Sequence, residues 1–237
     1  MRLLRSVLTA LFFAIFGIGG FFLGVLVIPA VSLFSRKKAV AVLRASWRLF
    51  VAGLEFFRLI KLNKANVNPD RSGYVIVANH PSLLDIVLLV ATYKNSICIV
   101  KKSLLNNILL YPIIRRIFIV SGGSATQVMA DAAKALEIGL NVIIFPEGTR
   151  SDNSTKKIHR GAARIATSAN RPVLPARISC SPLILGKKSK PLDVSDRTVL
   201  YTIEELEEIP PCESIGLNNS KKSRLLTAKI ANVLNLE

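Results

Sequence analysis

Apolar positions follow three patterns in succession along the chain. From Val7 to Ser35 there is no charged residue, a run of 29 positions flanked by Arg2 and Arg5 before it and Arg36, Lys37 and Lys38 after it. A bilayer core about 30 Å thick needs about 20 helical residues, so this run exceeds one straight span. Gly17, Gly19, Gly20, Gly24 and Pro29 lie inside it, which permits a tilted or kinked span, or a re-entrant pair of short helices. Over residues 36–62, Val40, Leu43, Trp47, Phe50, Leu54 and Phe57 recur at helical spacing while Lys37, Arg44, Arg48 and Glu55 fall on the other side. This spacing predicts a cationic amphipathic helix, packed on the rest of the protein, resting on lipid head groups, or both.

After a polar turn at Asn66 to Gly73, short aliphatic runs alternate with helical patterns. Strands are expected at Tyr74–Ala78, Ile97–Val100, Ile117–Val120, Val142–Phe145, Val173–Ser179 and Thr198–Thr202, the last as an edge strand. Helices are expected at Ser82–Thr92, Leu104–Ile114, Thr126–Ile138 and Gly161–Ala169, long enough to be crossovers, and at Lys221–Leu236. The acidic stretch Glu204–Glu208 before Pro210-Pro211 reads as a surface excursion. The fold class is therefore α/β, a largely parallel mixed sheet covered by helices, preceded by an N-terminal membrane-embedded helical segment. Residues 1–62 form the membrane segment and amphipathic helix, and residues 63–237 the second domain. No internal repeat is visible.

Composition narrows the partners. The 32 basic and 15 acidic side chains leave a net charge of +17 on a chain that is 51% hydrophobic, with a mean hydropathy of +0.43. A disordered basic tail would lack the aliphatics, and nucleic-acid binding would call for a recognition motif or aromatics interleaved on a basic face, which are not found. Excess cation with excess hydrocarbon suits an anionic lipid surface. More basic groups follow the apolar run than precede it, which places the second domain in the cytoplasm. Ala30-Val31-Ser32 has the small residues of a cleavage site, but the run far exceeds the 7 to 15 apolar residues of a signal peptide. Cys98, Cys180 and Cys212, odd in number and widely spaced, suggest a reducing compartment and neither a disulfide framework nor a zinc site.

Chemistry is expected where strands end and helices begin, because backbone N–H groups and helix dipoles converge there. Asn79-His80-Pro81-Ser82-Leu83-Leu84-Asp85 follows one strand directly. An imidazole oriented by a carboxylate makes a general base, although the same spacing also occurs as a surface histidine and a helix-start aspartate. Phe145-Pro146-Glu147-Gly148-Thr149-Arg150 follows another strand. Its glycine lets a ligand approach the backbone and its arginine offers a fork to phosphate or carboxylate; a polar turn with a local ion pair would look similar.

Together the two blocks resemble the N-H-x-x-x-x-D and F-P-E-G-T-R signatures of the glycerolipid acyltransferase family, which includes the 1-acylglycerol-3-phosphate acyltransferases. The resemblance covers residues 70–180. It implies transfer of a fatty acyl group from acyl-CoA or acyl-ACP to a free hydroxyl of a lysolipid, 1-acylglycerol-3-phosphate by default. It also implies that His80 is the general base, that Asp85 orients it, and that Glu147, Gly148, Thr149 and Arg150 form the acceptor pocket. No metal and no bound cofactor are implied, and the setting is a membrane, the bacterial inner membrane with its cytoplasmic face. The chain departs from the family after Ile117-Phe118-Ile119-Val120, where an arginine associated with the acceptor phosphate is replaced by Ser121-Gly122-Gly123-Ser124. Arg115 and Arg116, or the Gly122-Gly123 backbone, are alternative anion partners. That departure keeps a phosphate-free acceptor such as lyso-ornithine lipid open. A catalytically silent lipid-binding protein is the rival reading. Pro172 to Ala176 occupies the place of a further family element. Lys101 and Lys102 are either solvated or attract the donor's phosphates, and His159 is expected at the surface.

Overall fold

A computed structural model describes residues 2–150, 158–187, 194–211 and 218–236. Cys212, and Lys156 and Lys157 of the basic stretch before Arg160, lie outside the described residues. Seven strands form one sheet in the order β1-β7-β6-β2-β5-β3-β4. They are β1 (Ile60–Ala65), β2 (Val75–Ala78), β3 (Ser96–Lys101), β4 (Ile119–Ser121), β5 (Asn141–Ile144), β6 (Val173–Ser181) and β7 (Val199–Glu205). All neighbours pair in parallel except β6 and β7. The central strands β2 and β5 are buried at every position, which explains the aliphatic sequences Val75–Ala78 and Val142–Ile144.

The helices are α1 (Arg2–Phe22), α2 (Ile28–Ser32), α3 (Arg36–Phe56), α4 (Asp85–Thr92), α5 (Tyr111–Ile117), α6 (Ala125–Glu137), α7 (Gly161–Ala169) and α8 (Asn219–Leu234). A π-helical turn, Leu23–Val27, joins α1 to α2, so Leu3–Ser32 is one continuous apolar helix. Ser35 then caps α3 through Lys38 N–H, and α3 buries Val40, Leu43, Trp47, Val51 and Leu54.

The apolar segment lies against the rest of the protein along its length. Arg5 donates to the carbonyls of Arg58, Leu59, Ser195 and Arg197. Phe12 and Phe16 pack on Phe50 of α3 at ring distances of 5.9 and 4.8 Å. Further on, Gly24 meets α5 so closely that a Cβ there would sit 2.8 Å from Pro112 Cβ and from Ile113 N. The opposite face stays apolar and open: Leu4, Leu11, Ile15, Ile18 and Phe22 are each more than half exposed.

Several expectations need correction. The helix expected over residues 36–62 ends at Phe56, and Ile60–Ala65 is an edge strand instead; Arg58, at φ +53°, turns the chain between them. The helix expected over Leu104–Ile114 is two pieces, a 3-10 turn at Lys102–Asn106 and α5. The Asn107 side chain accepts from Leu109 and Leu110 N–H and ends the first piece, and Pro112 near the start of α5 begins the second. Ile117 belongs to α5, not to β4. Strand β7 is internal, between β1 and β6. Glu205, in the supposed surface excursion, is 7% exposed and accepts from Arg71 Nε, Tyr93 OH and Asn68 N–H.

Candidate active site

Strands β2, β5, β3 and β4 are consecutive and parallel, so their carboxyl ends open side by side on one edge of the sheet. His80, Phe145 to Arg150, Lys101 and Ser121 all fall at those ends. One open cleft is lined by His80, Lys101, Ser103, Ser121, Phe145, Gly148, Thr149 and Arg150, with Leu83, Ile86, Val100 and Leu104 on its apolar side; Glu147 stands behind this lining. This is the crevice position expected for ligands in open α/β sheets.

The turn from β2 into α4 is pinned from three directions. Asn79 Nδ2 donates to Ile178 O at 2.8 Å, and Ile178 N–H donates to Asn79 Oδ1 at 2.7 Å, so the side chain continues the β2–β6 ladder where the backbone leaves it. His80 N–H donates to Glu147 Oε1 at 3.1 Å, joining the two motif blocks directly. The His80 ring stacks on Phe145, with centroids 4.1 Å apart.

His80 Nδ1 lies 2.8 Å from Asp85 Oδ2. The same oxygen accepts Ser82 N–H at 2.7 Å, so Nδ1 carries the hydrogen and the other ring nitrogen keeps its lone pair for a ligand. Asp85 is fully buried. Burial pushes its carboxyl above the ordinary value, while the hydrogen bond and charge of His80 and the Ser82 N–H pull it back.

The second block supplies support as well as cleft surface. Glu147 is 7% exposed. Gly148 has φ +62°, and a Cβ there would come within 3.2 Å of the His159 ring, so glycine fits this position for both reasons. Thr149 is exposed beside it. Arg150 Nη1 donates to Leu185 O and Gly186 O, each at 2.8 Å, which fixes the guanidinium in the cleft wall. His159 is exposed, yet its N–H donates to Pro146 O at 2.8 Å and its ring edge flanks the block. Ser121 pairs in register with Lys101 of β3, so the position that lacks an arginine faces a lysine one strand over.

Beyond the cleft lies an apolar chamber that shares Leu83, Ile86, Val100 and Leu104 with it. Phe13, Phe16, Trp47 and Phe50 from α1 and α3 form its far wall. Sequence reading did not locate this chamber, because its lining comes from helices that meet only in the folded state. Nor did it assign a role to Asn79. Among the described residues no three His, Cys, Asp or Glu side chains come together as metal ligands.

A histidine held by a buried carboxylate at the carboxyl ends of a largely parallel sheet defines the class, an α/β protein with an imidazole at the wall of an open cleft. Residues 59–179 match the family model described as Acyltransferase. A 1-acyl-sn-glycerol-3-phosphate acyltransferase from Helicobacter pylori is 31% identical over 211 residues, covering 85% of this chain and 83% of that protein. The chain therefore belongs to the acyltransferase family. One from Borreliella burgdorferi is 26% identical over 140 residues, and the match spans about half of each, 55% of this chain and 53% of that protein. The crystal structure of the 1-acyl-sn-glycerophosphate (LPA) acyltransferase PlsC from Thermotoga maritima shares the fold, with a TM-score of 0.68 at 22% identity over 99% of this chain and 96% of that one.

Proposed function

We propose that this protein transfers a fatty acyl group from a thioester, acyl-CoA or acyl-ACP, to the free hydroxyl of 1-acylglycerol-3-phosphate at a membrane surface. The observation that carries this reading is the His80–Asp85 pair, at 2.8 Å, in a cleft that shares its wall with an apolar chamber. The unprotonated nitrogen of His80 takes the hydroxyl proton as the acceptor oxygen attacks the thioester carbonyl, and Asp85 stabilises the imidazolium that forms. The tetrahedral adduct then expels the thiolate, which takes the proton back from His80. The products are the diacylated lipid and the free thiol, and a thioester needs no covalent enzyme intermediate.

Lys101 and Arg150 both line the cleft and supply positive charge for a phosphate. Lys101 thus offers, from β3, the cation missing after β4. The chamber suits an acyl chain, its walls being wholly apolar at the end nearest Trp47.

The apolar helix is the membrane contact. Because one face packs on the protein from Arg5 to Gly24 and the other is exposed hydrocarbon, the segment suits insertion along the surface of one leaflet better than a crossing. The cytoplasmic face of a bacterial inner membrane, where acyl-CoA and acyl-ACP occur, is the setting this reading assigns.

The test is acyl transfer by the purified protein in vesicles, using labelled acyl-CoA or acyl-ACP with 1-acylglycerol-3-phosphate, a phosphate-free lysolipid and lyso-ornithine lipid. Preferential acylation of the phosphate acceptor is expected. Turnover confined to a phosphate-free acceptor would reassign the substrate, and no turnover on any pair would favour a lipid-binding protein.

A further inference from the structure

The buried hydroxyl groups behind His80 have no part in the acyl transfer itself. Tyr201, on β7, and Ser82, in the β2–α4 turn, are both fully buried, and their hydroxyl oxygens lie 2.8 Å apart across 119 residues of sequence. Ser82 Oγ also accepts from Leu84 N–H at 3.4 Å, and Ser82 N–H donates to Asp85 Oδ2 at 2.7 Å. Tyr201 pairs across the strands with Cys180, whose thiol donates to Pro182 O at 3.5 Å.

Asp85 makes this linkage matter. Its Oδ1 is buried without a hydrogen-bond partner among the described residues. The carboxylate is therefore held through Oδ2 alone, by His80 Nδ1 and Ser82 N–H. A turn that shifts at Ser82 removes one of those two restraints and lets the carboxylate, and the imidazole with it, rotate. A phenylalanine at 201 would fill the same space in the core, so packing does not account for the hydroxyl.

We infer that Tyr201 is a positioning residue for the His80–Asp85 pair, its hydroxyl anchoring the Ser82 turn from the antiparallel side of the sheet. This rests on the reading of His80 as the base. The anchor comes from β7, outside the two sequence blocks, and it acts on the angle of the imidazole without touching substrate.

The test is Tyr201→Phe, with Ser82→Ala cutting the same bond from its other end in case the first variant folds poorly. Each is assayed alone and in a His80→Ala background. Loss of one buried hydrogen bond sets the expected scale for Tyr201→Phe: kcat falls about 5- to 10-fold, KM for donor and acceptor stays within about twofold, and the double variant Tyr201→Phe/Ser82→Ala is no worse than Ser82→Ala, which also removes the acceptor of Leu84 N–H. In the His80→Ala background, where no imidazole is left to aim, neither substitution lowers the residual rate further. An equal fractional loss in both backgrounds would show a merely structural role and overturn the inference, as would unchanged kcat in Tyr201→Phe. Full activity in His80→Ala itself would instead remove the reading of His80 as the base.

Discussion

Replacing Asp85 by asparagine changes a charge while preserving shape, and the hydrogen bonds around it decide how the amide sits. Oδ2 accepts two hydrogens, from Ser82 N–H at 2.7 Å and from His80 Nδ1 at 2.8 Å, so the amide oxygen takes that position and the NH₂ group takes the place of the unpartnered Oδ1. His80 keeps its tautomer. The attraction between a carboxylate and the imidazolium formed as the proton moves disappears. At an effective dielectric of about 20, two unit charges about 4 Å apart attract by about 4 kcal/mol, and a neutral hydrogen bond retains about 1 of these. The remainder, about 3 kcal/mol, lowers kcat by about 10² at 1.36 kcal/mol per decade. Stranding the buried NH₂ costs stability as well, about 1–3 kcal/mol. The assay is initial-rate acylation of 1-acylglycerol-3-phosphate by purified protein in vesicles, with thermal unfolding measured alongside. A kcat within about threefold of wild type would refute the role given to Asp85. A loss of 10⁴, the scale seen when a histidine is held in its wrong tautomer, would refute the placement of the amide.

The same geometry sets three further outcomes. Lys101→Gln raises KM for the phosphate acceptor about tenfold, the scale of one hydrogen bond to a charged group, and leaves KM for a phosphate-free lysolipid unchanged; equal KM values would place the phosphate elsewhere. Gly24→Leu drives a side chain into Pro112 and Ile113, where even a Cβ finds only 2.8 Å, and destabilises the protein by about 1–3 kcal/mol in thermal melts, whereas an unchanged Tm would contradict the close seating of the apolar helix on α5. Stability falls with pH in alkaline solution, because burial raises the Cys98 thiol and the Tyr93 and Tyr201 hydroxyls above their ordinary values. Below about 8.5, the ordinary cysteine value, both folded and unfolded chains keep these protons and the contribution is intact. Above it the unfolded chain sheds protons that the folded one retains, so the unfolding free energy declines, and a Tm that stays level from pH 8 to 10.5 would contradict the burial of these groups.

The candidate site was legible because most of its residues sit next to each other in sequence at strand ends. Val75–Ala78 and Val142–Ile144 are uninterrupted aliphatic runs followed at once by the two blocks, so strand, turn and chemistry read out together. The edge of the sheet was not legible. Ile60–Ala65 is half polar and only partly buried, and it follows a helix whose periodicity runs into it. The break between Lys102–Asn106 and α5 depends on an asparagine side chain turning back on its own backbone, which competes locally with an otherwise helical pattern. Contacts across long separations were beyond sequence reading altogether. Nothing in the residues themselves links Tyr201 to Ser82, or Phe13 and Phe16 to the wall behind Leu83.

Removing the His80 imidazole alone tests the proposed mechanism most directly. His80 is the only group in the cleft with a nitrogen lone pair held in place by a buried carboxylate among the described residues, and its side chain contributes stacking on Phe145 rather than core volume. Single-turnover acyl transfer from labelled acyl-CoA or acyl-ACP to 1-acylglycerol-3-phosphate, by folded wild type and His80→Ala at equal vesicle occupancy, measures its contribution. A rate lower by about 100-fold or more is predicted, and equal rates in the two proteins would contradict the assignment of His80 as the base.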